Sequence, residues 1–296
     1  MVRRPLSLLI CVALLVAACG KGGQEPAPAK PADTYSQNMA HEHAGDRPAA
    51  SAATQPPPKV PVKSQTVTYG SINGQELKGY LAYPADAEGG LPGVLVFHEW
   101  WGLNDNIRAM ANQLAGEGYV ALAPDLYRGK SAQAPDQAQA LMEAALKDPS
   151  ALSTNMRQAH AYVREQLKAT RMATIGWCFG GGMSFQTSLL VPDQVDATVI
   201  YYGFISTDPA DLKKVRAPII GFFGTADSSI PVDTVKKFES TLKELGKSVE
   251  IHMYDGAGHA FANPSGQNYK ADAAADAWQK TLAFLAAHLK SDSPSP

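Results

Sequence analysis

Met172-Ala173-Thr174-Ile175-Gly176-Trp177-Cys178-Phe179-Gly180-Gly181 is the stretch whose reading decides the fold. Its first half is a short apolar run, the signature of a strand buried on both faces. Its second half is Gly-x-Cys-x-Gly, leading into a helix predicted over about Phe179 to Leu190. A strained strand-to-helix turn has this form, with glycine at both flanks, and it lifts a nucleophile clear of the backbone. The adjoining helix N-terminus offers unpaired N–H groups and a positive dipole end, which favour thiolate over thiol. A lone buried cysteine is usually a small hydrophobe. The strand before Cys178 and the glycine-rich helix start after it point instead to a nucleophile.

Working outward, Gln65 to Tyr69 and Glu76 to Tyr83 read as strands. Asn73-Gly74 between them signals a hairpin, since both residues accept positive φ. Gly93 to Phe97 and Tyr119 to Ala123 read as buried strands. They flank a helix from about Asp105 with Ile107, Met110, Ala111 and Leu114 on one face. Two helical segments fill Asp136 to Lys168, broken near Asp148-Pro149. Ala197 to Tyr202, Ile219 to Phe223 and Val249 to Tyr254 are further strands, with a helix over Val232 to Leu245. Trp278, Leu282, Leu285 and Leu289 mark a closing amphipathic helix. This alternation predicts an α/β fold: a mostly parallel sheet, helices on both faces and an antiparallel N-terminal hairpin. Sites in such sheets lie at the carboxyl ends of strands, so candidate residues should follow strands directly.

A thiol nucleophile needs a base, and the base an orienting acid. His259 lies in a glycine-rich loop, Asp255-Gly256-Ala257-Gly258-His259, directly after the last strand. Asp227 follows the Ile219–Phe223 strand and falls between Cys178 and His259 in the chain. Nucleophile, acid, histidine is the order of the strand–turn–helix hydrolases. His98 also ends a strand but reads as a loop-anchoring residue, and His160, His252 and His288 fall inside predicted elements. Phe179 N–H and a backbone N–H near Trp100 are the expected oxyanion donors.

The 296-residue chain is 45% apolar and 18% charged, with a formal net charge of -2, so no basic field suggests nucleic acid. Of its three cysteines only Cys178 belongs to the expected folded domain, which excludes a disulfide within it. Arg3 and Arg4 precede an apolar run from Leu6 to Ala18, too short for a comfortable span and well suited to a signal peptide. The run ends in Val16-Ala17-Ala18-Cys19, which resembles a lipobox and implies lipid on Cys19. The expected organisation is therefore signal peptide 1–18, lipidated Cys19 with a linker to 61, one domain over 62–290 and a disordered tail 291–296. The linker is rich in Pro, Ala, Gly and Gln, so it is expected to be extended and mobile and to add nothing to the core. Its His41-Glu42-His43 reads as solvated polar residues. The implied location is the bacterial cell envelope, with the domain in the periplasm or outside the cell.

Several motifs together resemble the dienelactone hydrolase family: Phe97-His98-Glu99-Trp100-Trp101-Gly102, Ala123-Pro124-Asp125-Leu126-Tyr127, Gly176-Trp177-Cys178-Phe179-Gly180-Gly181, Tyr201-Tyr202-Gly203, Gly224-Thr225-Ala226-Asp227 and Gly258-His259-Ala260-Phe261. They run in collinear order over about residues 62–290. The resemblance implies an α/β-hydrolase fold, no metal or other cofactor, and hydrolysis of ester or lactone bonds through a thioester. It also implies that Glu99 contacts the resting thiol and helps to activate it. Trp100, Trp101 and Tyr127 are expected to wall an apolar pocket. Members acting on a small anionic lactone hold its carboxylate with two arginines, one just after the Asp-Leu-Tyr segment and one four residues beyond the histidine. Here Arg128 stands at the first place, one position displaced, and Asn263 at the second. An asparagine cannot form a bidentate charged pair, so neutral esters are the expected substrates, and Asn263→Arg is expected to recruit the anionic lactone. The expected partners are that small molecule and, through Cys19, a membrane; the domain is expected to be a monomer. The rival reading is a catalytically silent binding lipoprotein on the same fold.

Overall fold

The computed structural model describes residues 31–46, 48, 56–87 and 89–290. Its frame is an eight-stranded sheet. The strands are β1 (Val62–Ile72), β2 (Gln75–Pro84), β3 (Gly93–Phe97), β4 (Val120–Pro124), β5 (Met172–Trp177), β6 (Ala197–Tyr201), β7 (Ile219–Gly224) and β8 (Val249–Tyr254). Their order across the sheet is β1-β2-β4-β3-β5-β6-β7-β8. The β1–β2 hairpin joins β4 antiparallel, and every other pairing is parallel. Asn73 and Gly74, both at positive φ, make the hairpin turn.

β3, β4, β5, β6 and β7 are buried along their whole length. Their apolar runs leave no solvent face, so helices must cover both sides. From β3 the chain moves one way across the sheet through α2 (Asp105–Gly116) to β4, then returns past β3 through α3 (Pro135–Leu146) and α4 (Pro149–Ala161) to β5. Right-handed crossovers in opposite directions place their helices on opposite faces. The reversal lies between β3 and β5, where Phe97 pairs with Gly176. A crevice opens at such a switch point, so the segments after Phe97 and after Trp177 are brought together there. The predicted break at Asp148-Pro149 is the start of α4. Asp148 accepts a hydrogen bond from Ala151 N–H at 2.9 Å, and Pro149 occupies the first helical turn.

One expectation is corrected. The segment read as an extended linker carries α1 (Pro31–Glu42), and it does contribute to the core. Tyr35, Met39 and His43 repeat every four residues and so share one helical face; all three are buried. Polar bonds pin the segment to the domain. Ser36 Oγ donates to Glu143, Asn38 to the Ser228 carbonyl, and Gln267 N–H to Asp46. The low average hydrophobicity of residues 20–61 concealed this short apolar face. The expected signal peptide, Cys19 and the 291–296 tail lie outside the described residues. Among the described residues no helix is long and apolar enough to cross a membrane.

The glycines around Cys178 follow from close backbone approach. A Cβ on Gly180 would lie 2.3 Å from the Phe97 carbonyl oxygen and 2.5 Å from that of His98. Backbone atoms of a central strand cannot yield. At Gly74 a Cβ would meet nothing within 4 Å, and only its φ of +77° resists substitution. Gly180→Ala should therefore destabilise by roughly 2–3 kcal/mol through overpacking, and Gly74→Ala by only about 1 kcal/mol through backbone strain. Urea unfolding of the two variants measures the difference, and equal losses would contradict this account.

Candidate active site

The strand–turn–helix junction holds Cys178 at φ 57°, ψ −122°, between β5 and α5 (Phe179–Leu190). Few non-glycine residues adopt such a backbone, and where they do the surroundings enforce it. Here Cys178 N–H donates to the Tyr201 carbonyl at 3.0 Å, and Gly182 N–H donates to the Cys178 carbonyl at 3.2 Å. The side chain is driven into the space at the carboxyl ends of the strands, where it is fully buried.

His259 and Asp227 meet at this point. Asp227 leaves the loop after β7, and His259 the loop after β8. His259 Nδ1 donates to Asp227 Oδ2 at 2.8 Å, and both side chains are wholly buried. Asp227 Oδ1 accepts from Ser229 N–H at 2.8 Å and Ile230 N–H at 2.9 Å, which fixes the carboxylate. Nε2 of His259 is left with no partner but the Cys178 sulfur.

A second imidazole faces the same sulfur. His43 follows α1, and its Nδ1 lies 2.7 Å from Asp46 Oδ2. Asp46 Oδ1 accepts from Gln267 N–H at 2.8 Å. Sγ of Cys178 and one ring nitrogen from each of His43 and His259 lie within 4.8 Å of one another. The imidazoles stand nearly perpendicular, with centroids 5.5 Å apart. The reading of His43 as a solvated residue is thus corrected. The sequence held two signals for it: the spacing to Tyr35 and Met39, and a carboxylate three residues on in His43-Ala44-Gly45-Asp46. Thiolate and imidazole also suit zinc, and these three are the described residues that could hold a metal ion.

The electrostatics follow from this packing. Burial pushes the Cys178 thiol up, but hydrogen bonding to His259 and His43, with their positive charge, outweighs it and brings the thiol down to about 6. Burial pulls His259 down, but the charge and hydrogen bond of Asp227, together with Cys178, raise it well above the usual imidazole range. His43 is raised in the same way by Asp46 and Cys178, against burial and the charge of His259. The two imidazoles thus favour the thiolate at Cys178 over the thiol.

Glu99, after β3, is buried and pushed up to about 8, by burial first and then by the Cys178 charge. One of its oxygens accepts from Asn263 Nδ2 at 2.7 Å, and the other has no partner. Asn263 in turn accepts from Ser265 N–H at 2.9 Å. Asn263 thus orients Glu99, so Asn263→Arg, read from sequence as a way to gain an anionic substrate, would also remove this support. His98 anchors loops as expected: its Nδ1 donates to the Glu99 carbonyl at 2.6 Å, and its Nε2 accepts from Leu126 N–H at 3.1 Å.

Phe179 is the first residue of α5, so its N–H has no acceptor within the helix. Trp100 and Trp101 are buried against His43, at centroid distances of 4.6 and 5.9 Å. Tyr127 packs on Phe179 at 5.6 Å, and its buried hydroxyl has no partner, as is also true of Tyr35. Both phenols feel the charge of Cys178. Arg128 is exposed and lines a separate cavity of about 180 Å³ with Lys130 and Asp148. A larger apolar cavity of about 540 Å³ begins at Phe179 and is walled by Tyr35, Leu152, Met156, Met183 and Phe204.

Comparison with known proteins agrees with this geometry. The model of the dienelactone hydrolase family matches residues 77–289. "Protein usf" of Aquifex pyrophilus is 33% identical over 73% of this chain and 96% of its own length. A protein of Escherichia coli K12 named "Putative carboxymethylenebutenolidase" is 31% identical over 82% of this chain and 95% of its own. The crystal structure titled as a "Putative Dienelactone Hydrolase" from Klebsiella pneumoniae superposes with a TM-score of 0.68 at 27% identity, covering 76% of this chain and 99% of that one. The chain belongs to the dienelactone hydrolase family, hydrolases built on the α/β-hydrolase fold.

Proposed function

We propose that this enzyme hydrolyses neutral carboxylic esters and lactones through a Cys178–His259–Asp227 triad and a thioester acyl-enzyme. The observation that carries the reading is the aspartate-held imidazole whose remaining nitrogen has only the Cys178 sulfur as partner. The thiolate attacks the carbonyl carbon, and backbone N–H groups at Phe179 and near Trp100 hold the oxyanion. The carbon–oxygen bond breaks as His259 gives its proton to the departing alkoxide. Water then attacks the thioester as a neutral imidazole of the site takes its proton, the carbon–sulfur bond breaks, and the thiolate returns. Glu99 lies within the field of the sulfur and is the group proposed to help activate it.

Preference for neutral substrates is supported by the two positions expected to hold a pair of arginines: Asn263 is committed to Glu99 and Arg128 lines another cavity. The apolar cavity beside Phe179 suits an uncharged acyl or alcohol group. We further propose that Cys19 carries lipid and anchors the enzyme to the cell envelope, on the strength of the Val16–Cys19 motif.

Cys178→Ala should lower kcat on a p-nitrophenyl ester by on the order of 10⁴-fold or more, and Asp227→Asn by a comparable factor. Alkylation by iodoacetamide should reach half its maximal rate near pH 6, since the thiolate forms as pH rises through the thiol's lowered value of about 6. A midpoint in the ordinary thiol range, about 8.5, would remove the activated thiolate from the mechanism. The ratio of kcat/KM for a neutral short-chain ester to that for dienelactone should exceed one by about one to two powers of ten, the value of a lost charged hydrogen bond. Cys19→Ala should abolish labelling by palmitate and release the protein from the membrane fraction without changing its kcat; retention in that fraction would refute the anchor.

A further inference from the structure

We propose that His43, held by Asp46, is a second acid–base group of the active site, delivered to Cys178 by the N-terminal segment. The inference rests on the triad reading above and extends it.

The two imidazoles stand in equivalent surroundings. Each has Nδ1 within 2.8 Å of a buried aspartate, and each aspartate accepts backbone N–H, Asp227 from its own loop and Asp46 from Gln267. Each has an Nε2 that is buried with no partner but the sulfur. Buried polar atoms are almost always paired, so an imidazole that faces only the nucleophile calls for a reason. Packing is an insufficient one. A histidine–aspartate pair carries a desolvation penalty that an apolar side chain of similar size avoids. The groups facing His43 from every side are consistent with a place in the reaction: Asp46 on its own segment, Cys178, His259 and Glu99 across the site, and the rings of Trp100 and Trp101 over it.

A specific step follows. During acylation His259 loses its proton to the leaving alkoxide. The departing alcohol then occupies the face of His259. His43 approaches the sulfur in a plane 87° from that of His259. Once the sulfur is acylated, the thiolate that raised His43 is gone, and His43, its proton released to solvent, is a neutral base on another face of the thioester. Water gives a proton to its Nε2 as the oxygen attacks the carbonyl; the carbon–sulfur bond breaks and the electron pair returns to Sγ. Sγ is again a thiolate beside the imidazolium of His43, and the carboxylic acid product gives its proton to His259, so both imidazoles are restored and one proton has passed to solvent.

The test uses the full chain with a p-nitrophenyl ester under pre-steady-state conditions. His43→Ala should retain the burst of nitrophenolate, because acylation needs no proton for this leaving group. Its steady-state kcat should fall about 100-fold, the lower range for a lost acid–base group. Added imidazole should restore part of the loss. His43→Gln, which keeps bulk and polarity, should show the same burst and the same slow turnover, and Asp46→Asn a smaller effect in the same direction. His41→Ala, an exposed neighbour, should leave kcat unchanged. The midpoint of iodoacetamide alkylation should rise in His43→Gln, since one partner of the thiolate is lost. Unchanged kcat and midpoint in His43→Gln would overturn the proposal in favour of packing. Faster turnover would overturn it in favour of a lid, and activity that requires added Zn²⁺ in favour of a metal ligand. Failure of the underlying triad would look different: the unmutated enzyme would give no burst, or Cys178→Ala would keep its activity.

Discussion

A thiol that is to ionise away from water needs groups from other parts of the fold to neutralise it. At the separations around Cys178, a unit charge pair is worth roughly 3–4 kcal/mol at an effective dielectric constant of ~20. One such pair only partly offsets burying a thiolate, so more than one favourable partner is needed. The partners come from α5, whose N-terminus meets the sulfur, from the loop after β8, and from the segment after α1. Each partner has its own support: Asp227 and Asp46 for the imidazoles, backbone N–H groups for the aspartates, and Asn263 for Glu99. Removing one therefore leaves a buried group uncompensated, which costs more than the lost contact itself.

The sheet exists in a form that allows this convergence. Cys178 can project from the end of β5 only because Gly176 and Gly180 let strand and helix backbones approach to distances that no side chain tolerates. The reversal between β3 and β5 then sets the Glu99–Trp101 loop beside the turn. Catalytic placement and topology are thus one constraint. The strained backbone at Cys178 is held by the Tyr201 carbonyl and the first turn of α5.

Much of this was readable from residue order. Buried strands announce themselves as apolar runs, and Gly-x-Cys-x-Gly, Asp227 and His259 follow such runs directly. Their side chains could be assigned roles because topology brings strand ends together. What could not be read was long-range. Asn263 appeared in sequence as the residue standing in place of a substrate-binding arginine, and its amide is bonded to Glu99, far away in the chain. Arg128 stood beside the place of a first substrate arginine; in the structure it has a positive φ of 55° and lines another cavity. His43 was hidden in a window dominated by Pro, Ala and Gly, because average composition is insensitive to three large side chains on one short helical face.

The position of α1 has a consequence for the order of events as the chain is made. Helix α1 leaves the ribosome before any strand of the sheet, yet it and the Asp46 turn after it bond to Glu143, Ser228 and Gln267, which are made much later. Closing so long a loop carries an entropic cost that only completed partners can repay. Among the described elements, the first helix to be synthesised can therefore be seated only once those later partners are in place. An unfinished or misfolded sheet offers His43 no place beside the sulfur, so completion of the fold and assembly of the thiolate's surroundings become a single event.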